Sequence, residues 1–265
     1  RRVGHDALGD TALATLAARG VQLDATTRDR TRPTGRVVVT FTAGQPSYEI
    51  RADAAWDHIE LPGPSRWRDF DAFCFGSLAQ RTRAQHESLV KHLAALRRRG
   101  TLPRSGARRP SAVVHDSAET RPWLVFDVNL RPPFIDANVL KTSLFHADLV
   151  KLNDEELTAL GPLLATSDVV DWLFTRTPLR ALALTRGAHG ARLTTRHVDV
   201  DHPGFPSSGV DPVGAGDAFL AALAIGACLH APWPETLERA NRYAAWVASQ
   251  PGAMPVLEAN SSISE

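Results

Sequence analysis

Short apolar runs alternate with amphipathic stretches along this chain. Leu8, Ala12, Leu13 and Leu16 recur at helical spacing and Gly20 follows as a stop, which predicts a helix over 6–19. Residues 1–4 read as the end of a strand running into that helix. Val37–Phe41 is rich in β-branched residues and predicts a strand; 42–47 is turn-like and 48–51 is the expected hairpin partner. Asp71–Phe75 reads as a short buried strand, and 83–99 as a helix with Leu89, Val90, Leu93 and Leu96 on one side. Beyond residue 122 the rhythm becomes regular. Strands expected at 123–126, 147–150, 181–184 and 191–194 alternate with helices at 136–145, from Asp154, at 168–175, from about Gly214 to His230, and at 235–249. Such alternation predicts an α/β fold with a mainly parallel central sheet, to which the early hairpin adds a small accessory sheet. No internal repeat is visible, and the expectation is a single domain over 1–265.

The segment 97–122 breaks the pattern. It is rich in Arg, Pro, Ser and Gly and reads as a solvated loop. The sharper alternative, a nucleic-acid tether, lacks aromatic residues among the arginines. A formal net charge of +1 gives no global attraction to nucleic acid or anionic membrane, and no apolar run is long enough to predict a membrane span. The two cysteines, Cys74 and Cys228, sit in apolar stretches and are expected as buried free thiols, which fits a cytoplasmic location. The ten histidines show no metal-ligand spacing.

Candidate chemistry gathers at the carboxyl ends of the expected strands, where open α/β sheets bind ligands. Asp127, Asn129 and Arg131 follow one strand, Lys151, Asn153 and Glu156 another, and Thr185, Arg186 and Gly187 a third. The most telling run is Asp211-Pro-Val-Gly214-Ala215-Gly216-Asp217, which leads straight into an apolar helix. A glycine-rich turn at a helix start exposes backbone N–H groups and adds positive potential, a ready site for phosphate. A carboxylate in that first turn can accept a proton from a hydroxyl held in the same hollow. The competing reading is an aspartate that merely caps the helix. No Gly-Lys-Ser/Thr follows, so this is not a P-loop, and a third glycine for a dinucleotide fingerprint is missing.

Asp-Pro-Val-Gly-Ala-Gly-Asp-Ala-Phe, residues 211–219, resembles the C-terminal signature of ribokinase-like (PfkB) sugar kinases, which usually carry Thr where this chain has Pro212. Asp127-Val-Asn-Leu-Arg131, Lys151-Leu-Asn153-Asp-Glu-Glu156, Leu184–Ala191, Phe75–Leu78 and Gly252–Pro255 resemble further family segments, in the same order, and look most like fructokinase-type members. The resemblance implies a ribokinase-like fold with a small β lid at about 34–52, through which a homodimer can form. It implies ATP-dependent phosphorylation of a sugar hydroxyl, with fructose as first candidate, Asp217 as base, and Gly214, Ala215 and Gly216 as the anion hole. Arg131 would neutralise phosphate or substrate charge. Asn153 and Glu156 would organise Mg²⁺, Thr185 and Gly187 would contact ATP, and Asn241 would approach the adenine. Asp211 would help hold K⁺, an assignment weakened by Pro212. The alternatives are a 2-keto-3-deoxygluconate-type kinase and a non-catalytic nucleotide- or sugar-binding remnant. Arg2–Gly9 matches a family segment that follows the sugar-binding opening strand and a Gly-Gly and Asn-containing segment. Roughly 40 residues of the family domain are therefore expected outside this sequence, by the usual domain size, whether through a fragment, a misplaced start or a truncated gene.

Overall fold

The computed structural model describes residues 1–42, 45–63, 66, 70–98, 121–207 and 209–256. The tip of the early hairpin and residues 99–120 of the Arg-rich segment lie outside these. The chain divides into two compact units, Arg1–Trp67 with Ala79–Ala95, and Arg68–Leu78 with Leu96–Glu265.

In the first unit, β1 (Arg2–Gly4) leads into α1 (Ala7–Ala18) and pairs in parallel with β2 (Thr27–Asp29). Asp6 is the N-cap of α1: its carboxylate accepts hydrogen bonds from Gly9 N (2.8 Å), Thr34 N (2.8 Å) and Thr34 Oγ1 (2.6 Å). These donors favour the ionised form and hold Asp6 down to about 2. The helical period of α1 was legible, yet the helix buries only Gly9 and leaves Leu8 exposed. Periodicity fixes the helix but not what covers it. β3 (Val37–Thr42) and β4 (Gln45–Ile50) form the expected antiparallel hairpin, with Val37 opposite Ile50. β4 starts at Gln45, three residues before the expected 48–51. Asp57 and Arg81 form a buried two-bond ion pair at 2.6 and 2.7 Å.

The second unit is an α/β layer structure. Its six-stranded sheet runs β10-β9-β8-β7-β6-β5, from β5 (Ala72–Gly76), β6 (Trp123–Asp127), β7 (Leu149–Asn153), β8 (Ala181–Thr185), β9 (Ala191–Thr195) and β10 (Asp199–His202). The pairs from β5 to β8 are parallel; β9 and β10 are antiparallel additions. The long α2 (Arg83–Arg98) passes from the first unit into the second. α3 (Ala137–His146), α4 (Asp154–Leu164) and α5 (Val169–Arg176) follow, then α6 (Ala215–Cys228) and α7 (Trp233–Ala248). Alternation along each strand sends Val125, Leu149, Ala181, Ala183 and Leu193 into one core with Phe219, Leu223, Leu237 and Ala240 of α6 and α7. α3 and α4 contact β6, β7 and β8. A near-continuous apolar run in β6 reflects burial on both faces.

Three sequence expectations change here. β7 spans 149–153 rather than 147–150, so Lys151 lies inside the strand. Cys74 is exposed and Cys228 half-buried, not both buried; β5 is an edge strand, and its alternation sends Phe75 inward and Cys74 outward. Finally, two arginines from the solvated-loop reading are structural. Arg121 forms a bidentate pair with the fully buried Asp148 (2.5 and 2.8 Å), and Arg97 donates to His146 O (2.7 Å) and lies 3.6 Å from the same carboxylate. Asp148 also accepts Leu124 N at 3.0 Å. An Asp148→Ala substitution leaves these donors without their acceptor and is expected to lower unfolding free energy by about 3–5 kcal/mol. Urea denaturation checks this; a loss below about 1 kcal/mol would mean the pair is a bystander.

Candidate active site

The glycine-rich turn and the first turn of α6 form one edge of the site. Gly214 is the N-cap, with φ of +87°. A Cβ there would stand 2.4 Å from Ala253 O, so both conformation and space require glycine. Asp211 locks this turn: its carboxylate accepts Val213 N (3.0 Å) and Gly252 N (3.1 Å), and its own N–H donates to Ala248 O (3.1 Å). Asp217 lies in the first turn of α6, is exposed, and has no hydrogen-bond or ion-pair partner among the described residues.

A cavity of about 760 Å³ opens beside it. Thr185 and Gly187 line one wall, Pro203–Ser207 and Pro212 another, and Asn241, Ala244 and Ala248 of α7 a third. Ala215 and Gly216 complete it, so the hollow runs from the β8–β9 loop to the helix start. Five sequence candidates therefore meet at one cavity: Thr185, Gly187, Ala215, Gly216 and Asn241. Asn241 is buried, and its Nδ2 donates to Leu237 O (2.8 Å), which fixes the side chain on the cavity wall. The 203–207 wall carries no sequence motif that marks it; Phe205, within it, is the one bulky aromatic there.

Asn153 and Glu156 form a reciprocal capping box at the start of α4. Asn153 Oδ1 accepts Glu156 N (2.8 Å) and Glu156 Oε2 accepts Asn153 N (2.9 Å), while Oε1 accepts Leu130 N (3.0 Å). The buried carboxylate thus ties the loop after β6 to the end of β7. Both oxygens keep a lone pair for water, which suits an outer-sphere contact to Mg²⁺. Among the described residues no three His, Cys, Asp or Glu side chains cluster as a metal site. A divalent ion here would take its remaining ligands from phosphate and water. Arg131 Nη1 bonds Leu130 O (3.0 Å), and the side chain is half-buried and not among the cavity-lining residues.

By sequence, Lys151 stands at a strand end among the polar groups expected to share an anionic ligand. In β7 it pairs across the ladder with Asp127 and Ala183, and the alternation that buries Leu149 turns its side chain to the α6 face. Lys151 Nζ is 3.1 Å from Asp127 Oδ1, both side chains being buried. Burial pushes the Asp127 carboxyl up to about 6; Lys151 opposes the shift, and the charges of Glu156 and Asp217 add to it. The folded state therefore holds a proton that the unfolded chain releases near 3.8. Stability from this group is fully present below about pH 4 and is lost as pH rises through about 6, amounting to about 3 kcal/mol at most. Guanidinium denaturation from pH 4 to 7 is expected to show this fall, and Asp127→Asn to flatten it. An unchanged profile in the variant would remove Asp127 from the account.

Comparison with known proteins places the chain in a family. Residues 68–260 match the model of the pfkB family of carbohydrate kinases. An uncharacterized sugar kinase of Pyrococcus horikoshii is 26% identical over 234 residues, covering 85% of this chain and 65% of that protein. Escherichia coli fructokinase is 26% identical over 265 residues, covering 96% of this chain and 78% of the enzyme. The probable fructokinase-5 of Arabidopsis thaliana is 32% identical over 146 residues, covering 51% and 45%. The chain thus spans about two thirds of the Pyrococcus protein and under half of the Arabidopsis one. In fold, it superposes on the ATP-bound fructokinase of Xylella fastidiosa with a TM-score of 0.78 at 23% identity, over 95% of this chain and 79% of the other. The family match, spanning most of the chain, and the ribokinase-like sheet and helix order together show that this protein belongs to the pfkB carbohydrate kinase family.

Proposed function

We propose that this protein transfers the γ-phosphate of ATP to a sugar hydroxyl, fructose being the first substrate to test. The observation that carries the reading is the single cavity running from Thr185 and Gly187 to Ala215 and Gly216, with Asp217 in the same helical turn. ATP fits a hollow of this size, with adenine toward Asn241 and phosphates toward the helix start. The first N–H groups of α6 would hold the phosphoryl group in transit, their partial positive charge matching its oxygens. Asp217, exposed and unpartnered among the described residues, would take the proton of the attacking hydroxyl. Arg131 would come to the substrate or phosphate side as a further cation. Mg²⁺, when bound, supplies neutralisation of phosphate charge; Glu156 and Asn153 would hold it through water. Asp211 would hold a monovalent cation while sharing its carboxylate with the two amides it already binds. Phosphoryl transfer asks for this kind of positioning and charge compensation more than for covalent chemistry.

The test is an ADP-release assay with ATP, Mg²⁺ and a panel of ketoses, aldoses and 2-keto-3-deoxy acids. Sugar-dependent ADP release, highest on fructose, is the expected result. Nucleotide binding without ADP release on any sugar would overturn the kinase reading in favour of a nucleotide-binding protein.

A further inference from the structure

A second cavity, of about 650 Å³, lies in the same unit at the opposite end of the sheet. It sits where the parallel strands begin: Trp123 is the first residue of β6, and Arg180 immediately precedes β8. Each of these strands is five residues long, so about 15 Å of strand separates this cavity from Asp127 and Thr185 at their carboxyl ends. The β9–β10 turn and the α6–α7 connection form its other sides, and it shares no lining residue with the first cavity.

The lining combines cations with aromatic rings. Arg180 lays its guanidinium over the Trp123 ring, 3.8 Å from the centroid, and Trp233 meets the same ring edge-on at 6.3 Å. Arg196, His197 and His230 also line the cavity and are exposed. Arg196 gives one N–H to Phe174 O, and a guanidinium has four more to donate. No Asp or Glu is among the described lining residues, so no carboxylate within the cavity offsets the two guanidinium charges. The complement to this lining is an anion. The volume suits a whole small molecule rather than a bare ion. The remaining walls say what its body is. Leu179, Val198 and Ala227 are apolar. Thr195 Oγ1 is already engaged, donating to Val198 O (3.2 Å) and accepting from His197 N (3.1 Å) and Val198 N (2.8 Å). A hydroxyl-rich body would meet no carboxylate or amide side chain there. A flat base meets an indole ring and a guanidinium plane, on both of which bases stack.

We propose that this cavity is a second ligand site, for a nucleoside monophosphate, with the base against Trp233 and the Arg180 guanidinium and the phosphate on Arg196. The site goes beyond the kinase reading and does not depend on it, because its residues lie at the other end of the strands.

The experiment is a protein-detected NMR titration of the unaltered chain with AMP, adenosine, fructose 6-phosphate and inorganic phosphate. The Trp233 indole N–H and the Arg196 and His197 amides report on this cavity, and the Gly187 and Gly216 amides on the first, so binding at the two is read separately. The expected result is saturable movement of the Trp233, Arg196 and His197 signals with AMP. Adenosine and inorganic phosphate, each lacking half of the ligand, are expected to bind there at least about tenfold more weakly, as is AMP to Arg196→Gln, the loss of one charge-assisted hydrogen bond. Arg196 is exposed, so this variant is expected to keep the fold. AMP signals that move only at Gly187 and Gly216 would overturn the site and leave the kinase reading in place. Equal affinity for adenosine, or for AMP in the Arg196→Gln variant, would overturn the phosphate contact. Fructose 6-phosphate or inorganic phosphate binding as tightly as AMP would overturn the nucleotide assignment.

Discussion

Asp217→Asn is expected to lower kcat by about 10³-fold while leaving ATP affinity within about twofold, the loss typical of a missing general base. Asparagine has the shape of aspartate and keeps an oxygen at the first turn of α6, so the turn survives. What disappears is the charge, which the described structure leaves without a hydrogen-bond or ion-pair partner. The helix start loses a favourable carboxylate worth only about 0.3–1 kcal/mol, so the folded protein remains. One side effect is diagnostic: Asp217 helps hold the Asp127 carboxyl high, and its neutralisation is expected to bring Asp127 down. Steady-state kinetics paired with nucleotide titration checks the main claim. Equal turnover in the variant would mean that Asp217 serves only the charge balance of the helix start and that the base lies elsewhere.

A stability loss as large as that of Asp148→Ala is expected at Gly190. Its φ of +77° and ψ of −140° lie in a region that residues with a Cβ rarely occupy. A Cβ there would lie 2.0 Å from His202 O and 2.3 Å from Gly204 N, both backbone atoms that cannot swing aside. Gly190 also closes the β8–β9 loop, accepting Arg186 N at 2.8 Å. Gly190→Ala is expected to cost about 3–5 kcal/mol and to displace the 203–204 wall of the cavity, so nucleotide affinity falls along with stability. Gly187 is the matched control. It too has positive φ, +56°, but a Cβ there meets nothing within 4 Å. Gly187→Ala is expected to cost about 1 kcal/mol, the conformational part alone. Chemical denaturation of both variants separates steric overlap from backbone strain. Similar losses at the two positions would show that the contact with His202 relaxes easily.

The two substitutions also mark how far the sequence could be read. Asp217 and its glycine turn were legible because the chemistry is local: a helix start, two glycines and an acid within four residues. Gly187 was legible at the end of a strand, Gly190 only as part of a resemblance. The clash that makes Gly190 indispensable comes from residues 202–204, in a wall that carried no motif of its own.

Element types were set mostly by local patterning. The β8 and β9 runs, the α3 and α5 periods and the Asn153–Glu156 capping box can each be written from a few adjacent residues, and each formed where those residues stand. Lys151 shows the limit. Its flanks, Leu149, Val150 and Leu152, place it within an apolar strand, but strand alternation alone does not say which layer the odd positions face. That required α6 to dock on the sheet, bringing Gly216 against the ammonium and Asp127 alongside. Arg121 and Arg97 teach the same lesson from the other side: composition made them solvated, and a buried aspartate 27 and 51 residues later made them structural. By itself, then, the sequence determined the α/β alternation, the glycine-rich turn leading into α6 and the family. The tertiary structure decided the exposure of Cys74, the cavity wall at 203–207 and the partners of the buried charges. Propensity, capping and turn chemistry act over a few residues, whereas burial and ion pairing depend on which distant strand or helix arrives to cover them.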